Sequence, residues 1–221
     1  MAMKDHFTEN RFNYFLYSLV GLMVISPLFP PLGTHGVFPF ISLCFTAASV
    51  FILRTLIRSN RTFYLTAGIY IVIFLVNAVF IYVSPERAPL LNTASNAALF
   101  IALVIFLRQL LLELFKSGKV TGDSIRGGIC IYLLLGFLWG LVFQCVHHLH
   151  PDSFIIAEHE SPNMFYFSFV TLASLGYGDI VPATRLVQML AVLEAVTGQV
   201  FLAVYIARLM GMHMAHHIKK D

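Results

Sequence analysis

Apolar residues run along this chain in long blocks, cut by short breaks that are charged or rich in proline and glycine. The blocks fall at about 12–30, 37–57, 62–83, 90–114, 127–147 and 182–210, and each is long enough to cross roughly 30 Å of hydrocarbon as a helix. A seventh apolar run, about 162–175, is too short to cross and reads as a re-entrant segment. The pattern predicts an all-α membrane protein with six transmembrane helices and one re-entrant helix. Met1 to Arg11 is polar, and the block after it ends in Pro27, Pro30 and Pro31 without a small-residue cleavage site. That block reads as a retained span, not a signal peptide.

Composition agrees with the pattern. The 221 residues are 58% hydrophobic and 11% charged, with a mean hydropathy of +0.81. A soluble domain of this size could not cover its surface with so few charges, so membrane lipid is the expected solvent. The net charge of +3 gives no reason to expect nucleic acid as a partner. Cys44, Cys130 and Cys145 all sit in apolar blocks and read as small apolar filler. Lysine and arginine set the orientation. Twelve of the fourteen, among them Arg54, Arg58, Arg61, Arg108, Lys116 and Arg126, fall on one set of ends and loops; Arg87 and Arg185 fall on the other. Both termini are therefore expected in the cytoplasm of a cell-membrane protein, with 148–181 on the far side.

The re-entrant segment carries the chemistry. Ser161 and Pro162 predict a helix start, a capping hydroxyl followed by proline at the first helical position. About twelve helical residues follow, ending near Ala173. The helix enters from outside, so its partly negative C-terminal end points toward the membrane centre. Ser174, Leu175, Gly176, Tyr177 and Gly178 come next. A potassium ion gives up its water only where oxygens replace it in number and geometry, so successive carbonyls must face one axis, which an ordinary strand forbids. Gly176 and Gly178 tolerate positive φ and permit that arrangement. The Ser174 hydroxyl adds an oxygen at the inner end, Leu175 and Tyr177 point away from the axis, and Asp179 favours cations at the outer mouth. K+ is thus expected at Ser174, Leu175, Gly176 and Tyr177.

In Thr171-Leu172-Ala173-Ser174-Leu175-Gly176-Tyr177-Gly178-Asp179 the chain resembles the potassium-channel pore family, whose pattern is Thr-x-x-Thr-Val-Gly-Tyr-Gly-Asp. The resemblance covers about 127–211 and implies an outer helix, pore helix, filter and inner helix, assembled as a homotetramer around one pore. Serine stands for the usual threonine and leucine for valine, which adds a methylene in a crowded place. Crowding of that kind costs about 1–3 kcal/mol unless neighbours adjust. Tyr166 and Phe167 occupy the places of two pore-helix tryptophans, and Val170 that of an acidic residue some relatives place behind the filter. Thr171 and Tyr166 are expected to support the filter.

Gly198, sixteen residues after Pro182, matches the family's hinge position. A glycine inside a helix costs up to about 1 kcal/mol, so it serves either bending or close packing against the pore helix. At helical spacing from it, Gln199, Leu202, Ile206 and Met210 are expected along the cavity and lower gate. Glu194, one turn before Gly198, is the lone carboxylate of this span and a functional candidate at membrane depth. It either bonds the back of the pore helix, at Thr171 or Ser174, or faces the cavity.

The expected organisation is a cytoplasmic N-terminus at 1–11, a four-helix domain at 12–114, a linker at 115–126, the pore domain at 127–210 and a short tail at 211–221. The fourth span holds only Arg108, near its cytoplasmic end. The membrane field does about 2.3 kcal/mol of work per charge per 100 mV only on charges that cross it, so voltage dependence is expected to be weak or absent. Gly136 and Gly140 form a small-residue packing face. His147, His148, His150 and His159 in the external loop, and His213, His216 and His217 inside, are either solvated or sensitive to protons or metal. The expected function is passive K+ conduction without cofactor and without enzymatic chemistry. A weakly selective cation channel, suggested by Ser174 and Leu175, and a potassium uptake transporter are the alternatives.

Overall fold

The computed structural model describes residues 11–25, 88–116, 121–157 and 162–218, with scattered helical positions between 64 and 75. The expected span at 37–57, most of that at 62–83, and Ser161 lie outside the described residues. In chain order the elements are α1 (Arg11–Ile25), α2 (Ala88–Lys116), α3 (Gly122–Leu149), a 3-10 turn (Pro151–Ser153), β1 (Phe154–Ile156), α4 (Met164–Leu172), β2 (Ile180–Pro182) and α5 (Arg185–Ile218). Two helices among the described residues, Gly122–Leu149 and Arg185–Ala215, are long and apolar enough to cross a membrane.

α2 and α3 overrun their apolar blocks at both ends, and α5 overruns its block at the C-terminal end. α3 starts at Gly122 rather than 127, because the Thr121 hydroxyl accepts from the Ser124 amide at 3.1 Å and caps the helix. Asp123 in its first turn suits the positive end of the dipole. α5 continues to Ile218, well past the apolar limit at 210. Hydropathy marks where lipid ends; a helix ends where its backbone loses partners.

The chain divides into two compact units, Met1–Ser117 with Thr121–Ile131, and Gly118–Val120 with Tyr132–Asp221. In the first, Phe12, Phe15 and Leu19 form the buried stripe of α1, at the spacing of one helical face. Phe15 meets Phe106 of α2 edge-on at 5.4 Å. The Phe12 amide lies 3.3 Å from Asp123 Oδ1, and the Cys130 thiol donates to the Phe12 carbonyl. Cys130 is fully buried and free, as apolar filler should be.

In the second unit the core gathers Phe143 of α3, Phe154 of β1, Met164 and Phe167 of α4, Ile180 of β2 and Val187 of α5. Phe143, Phe154 and Phe167 contact one another edge-on, with ring centroids 4.9 to 6.1 Å apart, the geometry aromatic quadrupoles prefer. β1 and β2 form a short antiparallel ribbon, with Phe154 opposite Pro182 and Ile156 opposite Ile180. Phe154 thereby joins the loop after α3 to the core beneath α4.

Candidate functional site

The site is built around the end of α4. This helix has nine residues, Met164–Leu172, and its N-cap is Asn163, whose side chain accepts from the Tyr166 amide at 3.0 Å. The expected start at Ser161 and Pro162 is therefore corrected. Pro162 lies before the helix, and an asparagine oxygen does the capping expected of a serine. The helix is three residues shorter than about twelve for the same reason.

Its C-terminus closes in a Schellman motif. The Leu175 amide donates to the Val170 carbonyl and the Ser174 amide to the Thr171 carbonyl, both at 2.9 Å, with Ser174 in the left-handed region at φ 57°. The Ala173 amide donates to the Phe169 carbonyl, and the Tyr132 hydroxyl of α3 donates to the Leu172 carbonyl at 3.1 Å. The last four carbonyls of α4 each have a partner, so what the helix presents at this end is the negative pole of its dipole and not a free carbonyl.

Beyond the cap the backbone changes hand at every residue. Ser174, Gly176 and Gly178 have φ of 57°, 62° and 83°, whereas Leu175 and Tyr177 lie at negative φ. Repeating strand dihedrals send successive carbonyls to opposite sides. Alternation between the two hands is the pattern that turns successive peptide units the same way. Positive φ was expected at the two glycines alone. Ser174 joins them because it is the residue after the helix cap, a position the sequence marks by ending the helix at Ala173. A Cβ on Gly176 or Gly178 would meet nothing within 4 Å, so glycine is required there by backbone conformation and not by space.

The strand is held at both ends. At its C-terminal end, the Ala157 amide donates to the Asp179 carbonyl at 2.9 Å, which continues the β1–β2 ribbon. A hydrogen bond from the Tyr166 hydroxyl holds the Asp179 carboxyl below the usual carboxylate range. Tyr166 also stacks on Tyr177, with rings 6.5 Å apart and nearly parallel. Tyr166 thus ties α4 to both Tyr177 and Asp179. Thr171 lines the cleft between α4 and the strand with Val170, Gly176 and Asp179. At its N-terminal end, Gln199 Nε2 donates to Ser174 Oγ at 3.2 Å, a contact the sequence did not disclose.

Three glycines let the helices approach. A Cβ on Gly136 would sit 2.4 Å from the Phe169 ring, one on Gly140 2.5 Å from the Phe165 ring, and one on Gly198 2.8 Å from the Leu172 carbonyl oxygen. The small-residue face of α3 is therefore a seat for α4. Gly198 has a packing reason of its own, and α5 runs through it unbroken. Glu194 is fully buried, which sets aside the cavity-facing option. Its partner is Ser168, not Thr171 or Ser174, because those two lie nearer the end of α4. Of the residues expected along a cavity, Leu202 is half-buried and Gln199, Ile206 and Met210 are exposed on this single chain.

Among the described residues no group of three or more His, Cys, Asp or Glu could hold a metal ion. The rings of His147 and His148 are 6.5 Å apart, and His148 lies 3.4 Å from Gln144 Nε2. His159 and the side chains of His216 and His217 lie outside the described residues.

Residues 129–214 match the profile of a family described as "Ion channel". A 73-residue stretch is 38% identical to Two-pore potassium channel 4 of Arabidopsis thaliana, and covers 33% of this chain and 25% of that protein. No solved structure matches the chain. Both matches are to channels and neither is to an enzyme.

Proposed function

We propose that the chain, whose residues 129–214 match an ion-channel family profile and which shares a 38% identical stretch with a two-pore potassium channel, is one subunit of a homotetrameric channel that conducts K+ passively across a cell membrane. α3 is the outer helix, α4 the pore helix, Ser174–Gly178 the selectivity filter and α5 the inner helix. The observation that carries this reading is the alternation of hand at 174, 176 and 178, directly after a capped half-helix. Four such strands around an axis would offer rings of carbonyl oxygens in place of the water a K+ ion sheds. Asp179 then gathers cations at the outer mouth, and the Ser174 oxygen, which accepts from Gln199, keeps one lone pair for an ion at the inner end.

The single chain has the exposed surfaces that such an assembly needs. Leu175 and Tyr177 are 58% and 68% exposed, and Leu186, Met189, Leu193, Val196 and Val200 of α5 are all more than half exposed. Neighbouring subunits and lipid would cover them. Six spans, cytoplasmic termini and weak or absent voltage dependence belong to the same proposal. A weakly selective cation channel is the second reading. Its support is Ser174, a non-glycine in the left-handed region, beside a leucine bulkier than the family's valine.

The test is a planar-bilayer recording of the purified protein with K+ and Na+ on opposite sides and barium added. The proposal expects a reversal potential near that of K+ and block by barium. A reversal potential near zero leaves the weakly selective reading, and no current in any cation gradient refutes both.

A further inference from the structure

One carboxyl is built into the packing behind the proposed filter. Glu194 of α5 and Ser168 of α4 are both fully buried. The Ser168 oxygen lies 2.7 Å from the Gly136 carbonyl oxygen of α3 and 2.5 Å from Glu194 Oε1. The second carboxyl oxygen, Oε2, is buried and has no hydrogen-bond partner among the described residues. The titratable group nearby from a neighbouring helix is Tyr132 of α3, within electrostatic reach of Glu194, but its hydroxyl hydrogen is committed to the Leu172 carbonyl.

The hydrogens can be counted. A serine hydroxyl has one, a backbone carbonyl has none, and an ionised carboxylate has none. Gly136 O, Ser168 Oγ and Glu194 Oε1 form two short contacts, so a single hydrogen would leave one of them as bare oxygen against oxygen. A carboxylic acid supplies the second. Its O–H donates to Ser168 Oγ, and the Ser168 O–H donates to Gly136 O. The same assignment leaves the unpartnered Oε2 as a neutral carbonyl oxygen, where an ionised group would be a buried charge without a counter-ion.

We infer that Glu194 stands in the fold as a carboxylic acid donating to Ser168, which donates to Gly136, and that this relay across α5, α4 and α3 makes Glu194 a positioning residue for the pore helix. The role in conduction rests on the channel reading above; the relay itself does not. Ser168 lies six residues before Ser174 on the short helix that carries the filter. A relay with both hydrogens in place fixes that helix between the two long ones.

The experiment is an infrared difference spectrum, wild type minus E194Q, of the purified protein in lipid, alongside reversal potentials of E194Q, E194A and S168A. The expected spectrum shows a carboxylic-acid C=O stretch that E194Q lacks. E194Q, whose amide N–H can still donate to Ser168, is expected to keep the K+/Na+ permeability ratio, whereas E194A and S168A lower it about tenfold by leaving buried partners unsatisfied. A difference spectrum showing loss of an ionised carboxylate instead overturns the relay, as does an E194Q channel no better than E194A. If E194A does not assemble, the spectrum and E194Q still decide. A carboxylic-acid band in a protein that passes no ions would refute the channel reading and leave the relay standing.

Discussion

Replacing Gly198 by alanine separates two reasons for a glycine inside α5. The new Cβ would lie 2.8 Å from both the carbonyl oxygen and Cδ1 of Leu172. Ordinary carbon–oxygen contacts begin near about 3.3 Å, so about half an ångström must be found. The Leu172 side chain can give way. The carbonyl cannot do so freely, because it ends α4 and accepts from the Tyr132 hydroxyl at 3.1 Å. Overpacking of this kind costs about 1–3 kcal/mol, while removing a helix-interior glycine returns up to about 1 kcal/mol. The net is a destabilisation of roughly 0–3 kcal/mol, placed two residues before Ser174. Thermal dissociation of the purified assembly measures the stability, and reversal potentials in mixed K+ and Na+ report the filter. If Gly198 is a seat for the pore helix, G198A dissociates at lower temperature and loses selectivity. A variant equally stable or more so, with selectivity intact and only opening altered, would refute the packing argument and leave bending as the reason.

Other outcomes follow from the same geometry. Alanine at Gly176 or Gly178 forces an L-residue into the left-handed region at about 1–2 kcal/mol per site and should abolish K+-driven rubidium uptake into liposomes, whereas D-alanine placed there by semisynthesis should restore it. Y166F removes the hydroxyl that holds the Asp179 carboxyl low; that carboxyl then protonates at higher pH, so acid inhibition of inward current should begin at a higher external pH than in the wild type, and an unchanged profile would remove Asp179 from the mouth. Y132F leaves the Leu172 carbonyl without its partner and should lower assembly stability by about 1 kcal/mol, read as a lower dissociation temperature with little change in expression.

Much of the half from Gly122 onward was legible before any coordinates. The apolar blocks at 127–147 and 182–210 became α3 and α5, the short run between them became a half-helix, and Gly176 and Gly178 took the conformation only glycine accepts cheaply. These signals are local: lipid preference is written in runs of residues, and positive φ is a property of one residue and its neighbours. What escaped was decided between distant segments. The capping oxygen belongs to Asn163 rather than to the expected Ser161, and the first turn of α4 packs Met164 and Phe167 against Phe154 and Ile180 of the β1–β2 ribbon. That ribbon pairs 154–156 with 180–182 across more than twenty residues of intervening chain, and no periodicity announces it.

The sequence by itself determined the apolar spans, the kind of element and the left-handed backbone at Gly176 and Gly178, since each depends on which side chains follow one another. Tertiary structure alone decided which surface each element meets. It set Phe169 and Phe165 against Gly136 and Gly140, the Leu172 carbonyl on Gly198, and Glu194 on Ser168 rather than on Thr171 or Ser174. Such contacts depend on crossing angles and axial offsets between helices, where a shift of one residue rotates a side chain by about 100°. Only the packed helices fix that offset.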